Sequence, residues 1–427
     1  MAVAARQTRP SDKGKQDMAA IAALVDPDPR TGAAFADAVE AHFLRHFGSA
    51  PKGATIGNLA CRWWACDSAP VSTARRETST IWVLGHLDEI ARPTQSAAER
   101  IADHFQSRGL DGLACRGGYF LAIIHQKDHY YVFSDRLGFF PCYYAVRDGR
   151  LLLGTSSDIP FFHPMMPRNL NRKGLVGHLL CMHEVLGEPL WRDCRRLGTG
   201  EILHFAHRRA EITAQRSIPV SDACFGLPRA TLLEKSHAAM QDALRQYEGS
   251  TPSLLLSGGL DCRLVAGYLE RAGVHVDTVY TLGSSTDNEF RCAARVCREL
   301  RWPQKRIEID FSRLLYFANR QIITEQAANG LNNPAWWLLE GVEDVKPPLV
   351  SGLLGDAVLG GSHILWAYDP AVQTYSFDML FRRINACGLP SDLICRLLPD
   401  PGTPDLIAET MQQLRDLYES LPGRDFQ

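Results

Sequence analysis

Between Ser253 and Asp261 the chain reads Ser-Leu-Leu-Leu-Ser-Gly-Gly-Leu-Asp: a short apolar run, a glycine pair, then an acid opening a stretch with helical spacing. A run apolar on both faces fits a strand covered on both sides, as in a parallel sheet between helices. The alternation continues downstream. Asp261 to Ala272 has helix spacing, with Leu264, Val265, Tyr268 and Leu269 facing inward, and Val276 to Leu282 reads as a strand. Phe290, Ala293, Cys297 and Leu300 stripe the next helix, Arg306 to Ile309 is another strand, and Pro348 to Ser351 another. Strands alternating with helices at this spacing predict an α/β unit with a parallel sheet over residues 216–427. Upstream, Leu233, His237, Met240, Leu244 and Tyr247 share one helical face, with His237 at the edge of the core.

The front half has a different grammar. Residues 1–17 are expected to be a disordered tail, and Met18 to Val25 a first buried strand. Tyr119 to Ile124 and Tyr130 to Phe133 are β-rich runs split by Gln126-Lys127-Asp128, a hairpin signal. Tyr143 to Val146 and Leu151 to Leu153 flank Asp148-Gly149, a second one. Residues 18–215 therefore read as a sheet-rich α+β domain.

Charge narrows the partners. Lys plus Arg number 46 against 48 Asp plus Glu, a net charge of −2, so no strong field gathers nucleic acid or anionic membrane. No apolar run approaches the ~18 residues of a membrane span. Met1 to Lys15 lacks the apolar core of a secretory signal, so the expected location is cytoplasmic. The 12 cysteines are scattered without a CxxC pair, as in a reducing compartment. His42/His46 and His125/His129 have HxxxH spacing but no HExxH glutamate and no neighbouring cysteine, so neither is read as a metal site. Trp63-Trp64 and Trp336-Trp337 are read as core, Arg75-Arg76 and Arg195-Arg196 as solvated or paired.

The chemistry sits in Ser257-Gly258-Gly259-Leu260-Asp261, after a strand and before a helix. The glycines let backbone approach a phosphate, the N–H groups at a helix start are unpaired and positively polarised, and Ser257 adds a hydroxyl. Asp261 would repel a phosphate, so its place there makes sense with Mg²⁺ between the two. No Walker GxxxxGK[ST] occurs in the chain. A second segment, Val350-Ser351-Gly352-Leu353-Leu354-Gly355-Asp356-Ala357-Val358-Leu359-Gly360-Gly361, is again strand, glycine turn and acid.

The first segment resembles the SGGxDS pyrophosphate loop of enzymes that cleave ATP between its α and β phosphates, with Cys262 replacing the last Ser. The second resembles the SGxGxDExxGG segment of asparagine synthetases, with Ala357 replacing the Glu and one extra residue between the first two glycines. Ser134-Asp135-Arg136-Leu137-Gly138-Phe139-Phe140-Pro141-Cys142-Tyr143-Tyr144 is similar to the RDxxGxxPLYY hairpin of the glutaminase-like domain fused to those synthetases. Further likenesses are Thr155-Ser156, Arg196-Leu197-Gly198-Thr199-Gly200 for RLxPG, and Trp82-Val83-Leu84-Gly85 for the VNGEI strand.

The resemblance implies a glutaminase-like α+β sandwich over 18–215 and an adenine-nucleotide-hydrolase-like α/β synthetase domain over 216–427. ATP would lie on Leu256, Ser257, Gly258, Gly259, Asp261, Cys262, Leu282, Ser351 and Gly352, with Mg²⁺ on Asp261 and Asp356. A working glutaminase of this type carries an amino-terminal Cys; this chain begins Met-Ala-Val and has no Cys before Cys61, so glutamine hydrolysis is not expected. That pattern resembles the branch holding β-lactam synthetases and the lasso-peptide macrolactam cyclases. It implies adenylation of a carboxylate, release of AMP and pyrophosphate, and attack by an internal amine. A precursor peptide and a leader protease would be partners in an antibiotic-type pathway. Tyr368, Glu340 and Glu343 are candidates for the base of the amide-forming step, with none singled out. Such relatives continue into a longer helical region with a catalytic Lys, which implies either an incomplete carboxyl end or a closing lid supplied another way. A β-lactam-type or ammonia-dependent asparagine synthetase, and a catalytically silent scaffold, remain alternatives.

Overall fold

The computed structural model describes residues 19–48, 50–66, 69–88, 94–214, 224, 226–308, 312, 315, 318–319, 348–352, 355, 376–385 and 388–420. The front half is built on two six-stranded sheets lying face to face. The first is ordered β10 (Arg195–Arg196), β8 (Tyr143–Arg147), β9 (Arg150–Gly154), β1 (Ala20–Val25), β3 (Leu59–Trp64), β2 (Lys52–Ile56). The second is ordered β12 (Arg209–Ala214), β11 (Glu201–Ala206), β7 (His129–Ser134), β6 (Gly118–Gln126), β5 (Ser79–Leu87), β4 (Val71–Arg75). Every neighbouring pair in both is antiparallel.

Alternation along each strand builds three cores. Ile21, Leu59, Trp63, Trp82, Leu84, Leu121 and Ile123 meet between the sheets, where the Trp63 and Trp82 rings pack edge-on at 5.6 Å. Ala22 and Leu24 face the other way, onto Phe35, Val39 and Phe43 of α1 (Pro29–Phe47). Ile81, Val83, Ala122 and Ile124 face α2 (Ala97–Arg108) through Ala98, Ile101 and Ala102. The order is helix, sheet, sheet, helix, which is why β1 and β5 are apolar on both faces.

Both expected hairpins form. β6 runs through Gln126, so its turn is Lys127-Asp128, with Lys127 at φ 54°. The β8–β9 turn has Asp148 at φ 49° and Gly149 at φ 74°, the left-handed pair a two-residue hairpin requires. The first strand begins at Ala20, and Thr155 lies just past β9, accepting from the Ile21 N–H at 3.2 Å. His42 packs against Phe162 with the rings tilted, His125 stacks on Tyr130, and His129 shares a hydrogen bond with His204 at 2.8 Å. Arg76 pairs with Asp103, Arg195 with Glu188, and Arg196 donates to Gly138 O. Among the described residues no group of three or more His, Cys, Asp or Glu side chains is arranged to hold a metal ion.

The later stretch contains a four-stranded parallel sheet ordered β15 (Gln304–Ile307), β14 (Val279–Leu282), β13 (Ser253–Leu255), β16 (Leu349–Ser351). α5 (Leu260–Arg271) follows β13 and α6 (Asn288–Leu300) follows β14, burying Ala266, Leu269, Ala293 and Cys297 with Leu254, Val276 and Val279. The chain is thus mixed, with antiparallel sheets first and a parallel sheet after. α4 (Arg229–Leu244) departs from its expected stripe: Leu244 is its buried residue, while Leu233 is 60% exposed and His237 hydrogen-bonds the Tyr268 hydroxyl at 2.8 Å. Spacing identifies a face, but only tertiary packing decides whether something covers it.

α3 (Arg172–Cys181) receives α7 (Phe377–Ile384), α8 (Ser391–Leu397) and α9 (Thr403–Ser420) on Val176 and Leu180, with Ile394 and Ile407 opposite. Lys173–Glu409 and Arg172–Asp400 ion pairs, at 2.8 and 2.6 Å, rim that contact. Among the described residues no helix is long and apolar enough to cross a membrane.

Candidate nucleotide site

β13 lies between β14 and β16, so the loops leaving all three emerge at the carboxyl edge of the sheet, where open α/β sheets bind ligands. Register places Leu255 beside both Tyr280 and Ser351. Leu256, Ser257, Gly258, Gly259, Leu282, Ser351 and Gly352 therefore share one edge. The strand ends at Leu255, two residues short of the Ser253-to-Ser257 run that the sequence reads as strand, although the Leu256 N–H still donates to Tyr280 O at 2.9 Å.

The Ser257 hydroxyl turns back and accepts from the Gly259 N–H at 3.1 Å, fixing the loop rather than pointing outward. Gly259 is the N-cap of α5, and among the described residues no side chain caps that helix. Its first-turn N–H groups are thus left to solvent or an anion, at the positive end of the helix dipole. Asp261 sits in that first turn, half-buried, and among the described residues its carboxylate has no hydrogen-bond or ion-pair partner. Cys262 follows, half-buried.

Three glycines account for how tightly the loops nest. A Cβ on Gly258 would stand 2.8 Å from Glu289 Cα, so the start of α6 closes one side of the loop. A Cβ on Gly352 would stand 2.5 Å from the Cys262 N, and one on Gly355 would stand 2.7 Å from Asp261 Cβ. The second glycine segment, distant in sequence, thus lies directly on the first turn of α5. Asp356, the residue after Gly355, is outside the described residues, as are Ala357, Trp336, Trp337, Glu340, Glu343 and Tyr368.

A further loop reaches the same edge without having been singled out from the sequence. After β14, Gly283 adopts φ 122°, the Ser284 N–H donates to the Asp287 carboxylate at 2.6 Å, and the Ser284 and Thr286 hydroxyls meet at 2.9 Å. Its signal was available: glycine, hydroxyls and an acid immediately after a buried strand. The edge thus presents unpaired helix-start N–H groups beside a free carboxylate. The first suit a phosphate and the second an oxygen-seeking divalent cation. The residues present fit Mg²⁺ on that chemistry.

Comparison with known proteins gives partial likenesses. No model of a known protein family matches the chain. A carboxyethyl-arginine β-lactam synthase of Streptomyces clavuligerus is 27% identical over 263 residues, covering 58% of this chain and 47% of that protein. The chain thus spans about half the length of that curated relative. Among solved structures, a glutamine phosphoribosylpyrophosphate amidotransferase from B. subtilis complexed with ADP and GMP overlaps at a TM-score of 0.30 and 10% identity, over 67% of this chain and 65% of its own. An NH3-dependent NAD synthetase from Campylobacter jejuni overlaps at 0.24 and 20% identity, over 46% of this chain and 99% of its own. Overlaps at these scores carry no weight for the fold.

Proposed function

We propose that the chain is an ATP-dependent, AMP-forming amide synthetase that activates a carboxylate and couples it to an amine of the same substrate molecule. One observation carries this reading: Gly352 and Gly355 seat the second glycine segment on Asp261 and Cys262, at the start of α5. A carboxylate cannot acylate an amine directly, because its leaving group would be oxide. Attack on the α-phosphate makes AMP the leaving group, and such a transfer asks chiefly for positioning and charge stabilisation.

In this reading the first-turn N–H groups of α5 hold the departing pyrophosphate, and Gly258 and Gly259 let it approach the backbone. Ser257 keeps the loop in shape. Leu256, Leu282, Ser351 and Gly352 would border the adenine and ribose. Asp261, with Asp356 next to Gly355 in sequence, would hold Mg²⁺, whose chemistry when bound is to neutralise the pyrophosphate oxygens. Glutaminase chemistry is not part of the proposal: β1 reads Ala-Ile-Ala-Ala-Leu-Val and offers no thiol.

For the substrate we favour macrolactam closure of a lasso-type precursor peptide, by the branch the departures resemble. A second reading, closure of a small carboxyethyl-amino acid to a β-lactam, is supported by the 27% identity to the Streptomyces enzyme. The test incubates the protein with Mg-ATP and each candidate: precursor peptides with an internal Asp or Glu, carboxyethyl-amino acids, and aspartate with ammonium. AMP release with loss of one water from a peptide supports the first reading, and the same loss from a carboxyethyl-amino acid supports the second. Asparagine formation, or no AMP with any substrate, contradicts both.

A further inference from the structure

We infer that Asp287 is a positioning residue for the nucleotide loop, acting on Gly258 through the start of α6. It stands at the N-cap of that helix, where an aspartate ordinarily caps by accepting an N–H of the first turn. Among the described residues no such bond is made. The carboxylate instead turns back across the loop after β14 and accepts the Ser284 N–H at 2.6 Å, while the Asp287 N–H donates to Ser284 O at 3.1 Å. A first-turn cap would serve the helix, whereas these two bonds serve the join between strand and helix.

The loop is shaped around that carboxylate. Gly283 has φ 122°, and a Cβ on it would stand 2.7 Å from Asp287 Oδ2, so a side chain there would push the acid away. The Ser284 and Thr286 hydroxyls bond each other at 2.9 Å, and the Thr286 N–H donates to Ser284 Oγ at 3.3 Å. These groups are spent inside the loop, which makes it a brace rather than a row of donors for a ligand. Its base is fixed as well, because the Gly283 N–H donates to Ile307 O of β15 at 2.9 Å.

The brace bears on the nucleotide loop. The three atoms that a Cβ on Gly258 would meet first all belong to the start of α6: Glu289 Cα at 2.8 Å, Cys292 Cβ at 3.2 Å and Glu289 O at 3.4 Å. Asp287 O accepts the Arg291 N–H at 3.0 Å, so Asp287 opens the helix whose next residues support Gly258. A contiguous path of bonds and contacts thus runs from β15 through Gly283, Asp287 and α6 to Gly258, the kind of network that carries a displacement between sites. Cutting it at Asp287 frees the first turn of α6, and the backbone resting on that turn moves with it. That this loop serves a nucleotide rests on the synthetase reading above; the mechanical link rests on the contacts alone.

The test reads Gly258 directly. The dipeptide Ser-Gly occurs twice in the chain, at Ser257-Gly258 and Ser351-Gly352. The full chain made with carbonyl-¹³C serine and ¹⁵N glycine therefore gives one correlated amide signal from each segment, and Ser351→Ala assigns them. In Asp287→Ala the Gly258 signal is expected to move and broaden. The Gly352 signal comes from the β16 side of β13, opposite β14, and should hold its place, reporting that the fold persists. Asp287→Asn, whose amide oxygen can accept the same Ser284 N–H, should leave both signals in place. Affinity for a ribose-labelled fluorescent ATP analogue with Mg²⁺ should fall about tenfold in the alanine variant and stay within about twofold in the asparagine one. A Gly258 signal unmoved in Asp287→Ala overturns the inference, whatever the loss of thermal stability, and so does an asparagine variant that behaves like the alanine one. Failure of the unaltered protein to bind the analogue contradicts the synthetase reading instead, and the Gly258 signal still decides the positioning.

Discussion

The backbone at Gly355 lies against the side chain of Asp261, so close that a methyl group on the glycine would stand 2.7 Å from Asp261 Cβ and 2.8 Å from its Cγ. The contact makes two glycine segments, each recognisable in the sequence, into one edge.

The glycines of this edge are not equivalent. Gly352→Ala drives a Cβ into the backbone of Asp261 and Cys262, and Gly258→Ala into that of Glu289, where nothing can rotate away. Each should lower stability by about 1–3 kcal/mol. Gly259 has φ −68°, and among the described residues a Cβ there would meet only Ser257 Oγ, at 3.2 Å. Gly259→Ala should leave stability within about 0.5 kcal/mol and weaken nucleotide binding. Urea titrations of the three variants check this; equal losses at all three would contradict the nesting.

Asp135 is expected to be the keystone of the loop between β7 and β8. It is 1% exposed, and its carboxylate accepts the N–H groups of Leu137 and Phe139 at 3.1 Å and Phe140 at 2.8 Å. Hydrogen bonds to a charged group contribute about 1.5–3 kcal/mol each, so Asp135→Ala should cost several kcal/mol. A denaturation midpoint that does not move would show the loop is held by something else.

Acid should loosen the front sandwich through Asp26. Burial pushes its carboxyl up, but hydrogen bonds from the Thr31 hydroxyl, the Asp28 N–H and the His163 ring, with the charge of Arg150, outweigh that and hold it below its ordinary 3.8. The His163 Nδ1 accepts from the Met165 N–H at 3.2 Å, so Nε2 carries the proton toward Asp26. With the folded value depressed, the unfolded chain binds the proton first. The stabilisation is complete above 3.8 and disappears as pH falls below it toward the folded value. Asp26→Ala leaves Arg150 and His163 buried without their anion and should cost about 3–5 kcal/mol at neutral pH while flattening the acid limb. An unchanged acid limb in the variant would assign it elsewhere.

Much of this was legible locally. Asp148-Gly149 declared a hairpin because few residues other than glycine and asparagine-like ones adopt that backbone, and Ser253 to Ser257 declared a buried strand by its apolar run, of which Ser253 to Leu255 forms one. What stayed illegible was non-local. Nothing in Gly352 says that its partner is the Cys262 backbone, since that depends on β13 and β16 being neighbours. The exposed Leu233 shows the converse: a well-formed stripe does not state what covers it. The loop at Gly283 to Asp287 was overlooked because its acid folds back onto the Ser284 backbone instead of following a recognisable glycine pair.

The central claim concerns Asp261, and pyrophosphate-dependent exchange of label into ATP, with AMP release, measures it most directly. In the presence of Mg²⁺ and a competent carboxylate substrate the unaltered protein should catalyse both. Asp261→Asn should lose about a hundredfold or more of that rate, with stability held within about 1 kcal/mol because, among the described residues, the carboxylate has no partner and contributes its helix-end charge. Exchange that survives the substitution at full rate would contradict the account.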